Sequence, residues 1–282
     1  MTRREKQTTP PCPGYGLRLR TEYLETILHT RPELDCIEVI SENYLDADEQ
    51  ALQQLERLKE RYPLLLHGIS LSIGNPWPLD PHYLDRLKKL IERIEPLWIS
   101  DHLGWRGADA QQGELLPMPY SEETLEHLVT RVNEVQSFLG RQILLENVPM
   151  EQNDGEQEIP EAEFIREVAE RSDSLVLIDI GNLLTSSLNQ GFDTSEYINR
   201  LPRERVQQIH LPDISFQPGT EDECDAPPHL IDPIWQLYTR VLDRFGRVTT
   251  VIEREDTIPT LAGMLCDIKK VRRAVDRYLA SD

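Results

Sequence analysis

The chain has little positive charge. Its 282 residues include 50 Asp and Glu but only 30 Lys and Arg, which gives a net charge of −20. A surface this acidic repels phosphate backbones and anionic membranes, so broad binding to nucleic acid or to lipid is not expected. With 39% hydrophobic and 28% charged residues, the composition is that of a globular protein.

Closely spaced cysteines and long apolar runs are also lacking. The four cysteines, Cys12, Cys36, Cys224 and Cys266, form no CxxC pair. We therefore predict neither a disulfide framework nor a zinc ribbon. The longest apolar runs are only of strand length, and the polar N-terminus has no apolar segment typical of a signal peptide. These features predict a protein of the reducing cytoplasm without a membrane span.

The sequence does contain eight short apolar runs, each long enough for one strand. They cover residues 15–19, 36–41, 64–70, 97–100, 142–148, 175–180, 206–211 and 249–253. Segments with apolar residues at helical spacing lie between most of the runs, at 48–61, 81–94, 121–139, 160–171, 195–201, 232–245 and 258–279. Strands that alternate with helices pair in parallel, because a crossover helix joins parallel neighbours.

The number of these units predicts the fold class, which is α/β. Eight strand–helix units predict one closed (β/α)8 barrel that spans residues 14–282, after a flexible N-terminal segment of residues 1–13. An open doubly wound sheet is the alternative. No G-x-G-x-x-G follows any of the runs, which counts against the dinucleotide-binding version of that alternative.

Six successive runs finish in a His, Asp or Glu, where the strands of such a barrel form the active site. These strand-end residues are His67, His102, Glu146, Asp179, His210 and Glu253, and Asn182 and Asp213 follow closely. Burying any of these groups without a partner would cost several kcal/mol. A bound cation supplies a common partner, and two cations that share a carboxylate suit six ligands better than one.

The residue types narrow the choice of metal. Imidazole together with carboxylate suits Fe, Mn, Zn or Co, whereas Mg and Ca favour sites made only of oxygen. Taken singly, each strand-end residue has a simpler explanation as a hydrogen-bonded structural residue or a helix cap. Six separate explanations of that kind are the weaker hypothesis, so we predict a metal centre.

At these same positions the sequence resembles a known family, the multinuclear non-haem iron-dependent oxidative enzymes, which include the oxidase of methanobactin biosynthesis. The match runs from about residue 14 to residue 256, and residues 67–74 are its most specific part. It consists of residues 14–18, 42–44, 67–74, 100–105, 116–120, 146–148, 179–182, 210–211 and 234–238. The resemblance implies a xylose-isomerase-like TIM barrel with two or three iron ions.

The resemblance also implies an activity and partners. Members of the family oxidise a cysteine in a ribosomally made precursor peptide with dioxygen, as in natural product biosynthesis. Many members act with a small partner protein that presents the peptide. The six strand-end residues match the ligands of the two central metals, and Asn182 matches a ligand of the third. Glu146 and Glu253 would be the catalytic residues, because they would bridge or share the metals.

This chain departs from the family pattern around the third metal. The family has His-Leu-Ala-Gly-His after its seventh strand, where this chain has His210-Leu-Pro-Asp-Ile214, so the second His is absent. The family then has Asp-Thr-His, where this chain has Asp225-Ala-Pro227, and that His is absent too. Asp213 or His229 would have to compensate. We therefore expect two ions, with the third site weak or empty.

Two other functions stay open at this point. A divalent-metal-dependent sugar isomerase or hydrolase on the same barrel would hold Mn or Zn, but no Lys stands at a strand end to transfer protons. A barrel without catalytic activity that binds a metal and a peptide or partner is favoured by the two missing histidines. The complete set of six central ligands argues against this third function.

Overall fold

A computed structural model gives the architecture of the chain. The structure describes residues 14–106, 115–116, 118–151, 157–214, 216, 224, 226–254 and 259–280. The N-terminal segment of residues 1–13 lies outside them, so its flexibility stays a prediction. The domain boundary at residue 14 stays a prediction as well.

Strands of the described residues form a closed barrel and a small separate sheet. In chain order they are β1 (Tyr15–Arg18), β2 (Cys36–Ile40), β3 (Leu64–Gly68), β4 (Trp98–His102), β5 (Trp105–Arg106), β6 (Leu115–Leu116), β7 (Leu144–Glu146), β8 (Leu175–Asp179), β9 (Val206–Leu211) and β10 (Thr249–Ile252). Eight of them close a parallel barrel in the order β1-β10-β9-β8-β7-β4-β3-β2, and β5 pairs with β6 in antiparallel fashion. The predicted (β/α)8 barrel is confirmed, and the open-sheet alternative is wrong.

Helices surround the barrel and connect its strands. The helices of the described residues are α1 (Thr21–Thr30), α2 (Glu42–Leu45), α3 (Glu49–Lys59), α4 (Pro81–Ile94), α5 (Glu122–Leu139), α6 (Glu161–Ser172), α7 (Ile180–Gln190), α8 (Thr194–Arg200), α9 (Pro233–Phe245) and α10 (Leu261–Leu279). None of the helices in this part of the chain combines the length and the apolarity that a membrane crossing needs.

Local sequence explains where these helices start and which face they bury. Helix α4 begins after Asp80, whose carboxylate accepts a hydrogen bond from the amide of His82 (2.8 Å), and Pro at the first helical position is pre-set for a helix. Its residues Leu84, Leu87 and Ile91 are buried. Apolar residues three and four apart share one helical face, and the main core lies between such faces and the outer wall of the barrel.

Candidate metal centre

The two-residue period of the strands creates a polar layer inside the barrel. A lower interior layer is apolar, and it includes Cys36, Leu65, Leu144, Leu177 and Val251. The residue two positions later on each of these strands points the same way, because successive side chains alternate between faces. Those residues are Glu38, His67, Glu146, Asp179 and Glu253. The barrel therefore carries acids and imidazole on its inner wall where its strands end.

Glu146, at the end of β7, is the centre of this layer. Its Oε2 lies 3.4 Å from Nε2 of His67 and 3.5 Å from Nε2 of His102. Its Oε1 lies 3.0 Å from Nδ1 of His210. The three imidazole rings come from β3, β4 and β9, and only the side chain of His102 has appreciable exposure, at 17%. The cluster thus opens to solvent on the side of His102.

Asp179 and Glu253 extend the cluster across β8 and β10. Ligand atoms of Glu146, Asp179 and His210 all lie within 4.8 Å of one another, as do those of His67, His102 and Glu146. Oε2 of Glu253 lies 3.2 Å from Nδ1 of His210. The structure thus brings together the six strand-end residues named from the sequence.

The cluster also contains a glutamate that the sequence argument missed. Glu38 lies in the middle of β2 and is completely buried. Its Oε2 lies 2.9 Å from Nε2 of His210, and ligand atoms of Glu38, His67 and His210 form a third close group. The missed signal was an acid in an otherwise apolar run. The sequence prediction rests on residues that end the strands, and Glu38 is two residues short of the end of β2.

The electrostatics of this layer depend on burial and on close neighbours. Burial lowers the pKa of His67 to about 3, against the opposing effect of Glu146, so its imidazole is neutral. Burial also acts to lower the pKa of His210, but Glu38 and Glu146 outweigh it and raise the pKa to about 10. Burial acts to raise the pKa of Glu146, yet His210, His102 and His67 hold it below its ordinary value.

Two buried atoms at the centre lack hydrogen-bond partners among the described residues. They are Nε2 of His67 and Oε2 of Glu146. Nδ1 of His67 is within 2.8 Å of the Ser100 hydroxyl, which leaves Nε2 as the nitrogen that faces the cluster. An unsatisfied buried polar atom costs about 1–3 kcal/mol, and a cation between these two atoms would satisfy both. A donor set of imidazole and carboxylate fits iron, manganese or zinc.

Asn182 lies beside the cluster, in the first turn of α7. Asp179 caps this helix, since its Oδ1 accepts from the amide of Asn182 (2.6 Å). The side-chain amide of Asn182 donates to the backbone oxygen of Asn147 (3.0 Å), and Oδ1 of Asn147 accepts from the amide of Asp179 (2.8 Å). These bonds fix the ends of β7 and β8 relative to each other. Whether Asn182 binds a metal stays a prediction.

The remaining predicted ligands are placed differently. The carboxylate of Asp213 is 63% exposed and forms an ion pair with Arg254. His229, which precedes α9 in the chain, is half-buried. In the part of the chain that the structure describes, neither joins a group of three close ligands. Asp225 lies outside the described residues. A third metal site at these positions therefore stays a prediction.

Asp101, next to His102, is turned away from the cluster. Its Oδ2 accepts from the amide of Leu71 (3.2 Å), and its Oδ1 accepts from the amide of His102 (2.8 Å). A Cβ at Gly68 would collide with this carboxylate, which explains the glycine beside His67. Burial, and then the nearby Glu42, raise the pKa of Asp101 well above its ordinary value. Alternation along β4 thus sends His102 into the barrel and Asp101 out of it.

A disulfide that the sequence argument did not predict lies after β9. Cys224 pairs with Cys266 of α10, with 5.0 Å between their Cα atoms. It attaches the segment after β9 to the last helix. Cys36 is buried and does not take part in this disulfide.

The chain is similar to known proteins over nearly its whole length. The family described as RiPP precursor modification enzyme MbnB/TglH/ChrH matches residues 14–276. A UPF0276 protein from Anaeromyxobacter sp. (strain Fw109-5) is 40% identical over 272 residues, which are 93% of this chain and 92% of that protein. A UPF0276 protein from Caulobacter vibrioides is 38% identical over 277 residues, with coverage of 96% and 98%.

Solved structures with the same barrel are far more distant in sequence. A D-psicose 3-epimerase crystallised with D-fructose has a TM-score of 0.57 and 13% identity, and covers 95% of this chain and 97% of its own. The probable 3-DHS dehydratase AsbF from Bacillus anthracis has a TM-score of 0.59 and 16% identity, with coverage of 92% and 98%. These likenesses show the fold alone, a xylose-isomerase-like TIM barrel.

Proposed function

Because the chain belongs to the MbnB/TglH/ChrH family of RiPP precursor modification enzymes, we propose that it is a non-haem iron-dependent oxidative enzyme. It modifies a cysteine in a ribosomally made precursor peptide with dioxygen, and it holds two iron ions, with a weak third site. A small protein that presents the peptide is part of the proposal, as is a cytoplasmic location. The unsatisfied Nε2 of His67 and Oε2 of Glu146 carry the argument for the metal.

The residues of the barrel divide the work of holding iron. Glu146 presents one oxygen to His67 and His102 and the other to His210, so it would be a ligand that two ions share. Asp179, His210 and Glu253 would supply the other ligands of one ion, and His67 and His102 would supply those of the second ion. Bound iron would bind the thiolate and transfer electrons from the cysteine, which is oxidised, to dioxygen, which is reduced.

Access to the cluster is restricted to one side. The side chains of His67 and His210 have no exposure and that of Glu146 only 3%, while His102 reaches 17%. Asp179 is half-buried as well. A peptide thiol would therefore approach from the side of His102 and Asp179. The lower apolar layer, which includes Leu65 and Leu144, keeps water away from the opposite side. This one-sided exclusion of water protects reactive chemistry from side reactions.

The closest competing proposal is an isomerase or hydrolase with Mn or Zn. The distant epimerase and dehydratase barrels suggest this alternative, but their identities of 13% and 16% show only a common fold. The two proposals differ in what is consumed. An oxidative enzyme takes up dioxygen and changes the mass of a cysteine-containing peptide, whereas an isomerase does neither.

The proposal is tested on protein purified without oxygen and loaded with Fe²⁺. The loaded protein is mixed with a cysteine-containing precursor peptide, with the partner protein present, and dioxygen uptake and peptide mass are followed. We expect uptake coupled to a mass change, both lost in Glu146→Gln and both kept in Glu123→Gln, which alters an exposed glutamate of α5. Stoichiometric iron without uptake or mass change would overturn the oxidative proposal.

A further inference from the structure

Protein donors occupy both oxygens of Glu38. Oε1 accepts from Nε of Arg18 (3.3 Å), and Oε2 accepts from Nε2 of Gln208 (2.5 Å). Nε2 of His210 lies 2.9 Å from the same Oε2. The residue is completely buried. With three protein donors at its two oxygens, Glu38 has less capacity left for a metal ion than a carboxylate that keeps an unbonded oxygen.

Glu146 shows the opposite condition. Its Oε2 has no hydrogen-bond partner among the described residues, and neither has Nε2 of His67, 3.4 Å away. Unfilled bonding capacity is thus concentrated around Glu146, while Glu38 lies on the far side of His210. This difference suits Glu146 to be a metal ligand and Glu38 to be a residue that holds a ligand in place.

His210 stands between the two carboxylates and presents a different nitrogen to each. Its Nδ1 lies 3.0 Å from Oε1 of Glu146 and 3.2 Å from Oε2 of Glu253. Its Nε2 points to Glu38. A metal-binding imidazole uses one nitrogen for the metal and commonly donates the other N–H to a carboxylate or carbonyl, which fixes the tautomer and the ring orientation.

We propose that Glu38 is a positioning residue that accepts the Nε2–H of His210 and so directs Nδ1 at the metal between Glu146 and Glu253. This inference rests on the proposed metal centre. Arg18 strengthens the arrangement, because its guanidinium pairs with both Glu38 and Glu253 and thereby ties the positioning residue to a ligand. Gln208, two residues before His210 on β9, holds Glu38 from the other side.

Equilibrium metal binding tests the inference without any activity assay. Fe²⁺ and Co²⁺ are titrated under anaerobic conditions into the wild-type chain, Glu38→Gln and Glu38→Ala, in competition with a chelator. We expect all three to bind the same number of ions. Loss of an orienting partner typically lowers metal affinity about 10- to 100-fold. We expect a loss in that range for Glu38→Ala and a smaller one for Glu38→Gln, which retains an acceptor oxygen.

A second readout follows the proton itself. In the Co²⁺-loaded protein, an Nδ1-bound His210 should give a paramagnetically shifted, exchangeable N–H signal that exchanges slowly with solvent. Glu38→Ala should speed that exchange or remove the signal. Glu161→Gln is the matched control, since it alters another buried glutamate far along the chain in α6 and should leave the signal and the affinity unchanged.

The outcomes separate this inference from the proposed function. If the wild-type chain binds less than one ion, the metal centre itself is wrong. If the wild-type chain binds two ions and Glu38→Gln binds one fewer, Glu38 is a ligand and the inference is overturned. Unchanged affinity in Glu38→Ala overturns it as well. Should Glu38→Ala fail to fold, Glu38→Met takes its place in the comparison with Glu38→Gln, because Met removes the acceptor oxygens but nearly keeps the side-chain volume.

Discussion

Whether a polar side chain belongs to the metal centre depends on a single step along its strand. His102 faces the inside of the barrel, while Asp101, one residue earlier, faces the outside and bonds to the amide of Leu71. The strand-end residues could be predicted from the sequence because an acid or imidazole in an apolar run is conspicuous. Glu38 could not be predicted in the same way, because it does not end its strand. Its partners Gln208 and His210 are far away in sequence and meet it only when the barrel closes.

Glu161 is a buried acid outside the metal centre, and it gives a prediction about pH. It lies at the start of α6 beside a cavity of about 320 Å³ lined by residues of α6, α7 and α8. The hydroxyl of Tyr120 donates to its Oε1 (3.4 Å). Burial raises the pKa of Glu161 to about 8, although Tyr120 and Tyr197 oppose the rise.

Since the folded protein holds this proton more tightly than the unfolded chain, the stabilisation is complete below the ordinary glutamate pKa and is lost as pH rises through about 8. Relative to Glu161→Gln, the wild-type chain should lose at most about 1.4 kcal/mol of unfolding free energy per pH unit between about pH 5 and pH 8. Urea unfolding at several pH values measures this difference. Parallel stability profiles for the two proteins would contradict the assignment.

Helix α7 shows what the sequence could not reveal at the scale of elements. The segment 180–190 contains a Gly and several Ser and Asn residues, which are weak helix formers, and no helix was predicted there. The structure starts a helix at this point because Asp179 caps it. Helices with a strong apolar period, such as α4 and α9, were predicted to within one residue at each end.

The capping role of Asp179 and its proposed role as a metal ligand can be separated experimentally. Asn is as good an N-cap as Asp but a poorer metal ligand, while Ala can do neither. In metal-free protein, Asp179→Asn should change the free energy of unfolding little, and Asp179→Ala should lower it by about 1 kcal/mol. Both variants should bind less metal than the wild-type chain. Equal destabilisation of the metal-free protein by both substitutions would show that the cap is not what starts α7.

At the scale of the whole molecule, the disulfide is the main departure from the sequence-based expectation. Cys224 and Cys266 are 42 residues apart, and nothing in their spacing indicated a pair. They meet because barrel closure brings the segment after β9 next to α10. Disulfides are uncommon in the reducing cytoplasm. The redox state of these two cysteines in the cell therefore bears on the proposed cytoplasmic location.

The disulfide predicts a stability that depends on redox state. Closing a loop of this length should stabilise the protein by about 4 kcal/mol through the restricted unfolded chain. The double variant Cys224→Ser/Cys266→Ser should unfold at lower urea than the oxidised wild-type chain. Its urea unfolding midpoint should equal that of the wild-type chain reduced with dithiothreitol. Equal stability of the oxidised and reduced wild-type chains would refute a structural bond.

The most direct test of the metal centre is anomalous diffraction at the iron edge from crystals of protein loaded with Fe²⁺ without oxygen. We predict two anomalous peaks within bonding distance of the polar layer. Glu146 should lie between the two peaks, and Nδ1 of His210 should bind the ion at one of them. A map without iron in the barrel, in which His67, Glu146 and His210 bond only to one another, would contradict the account.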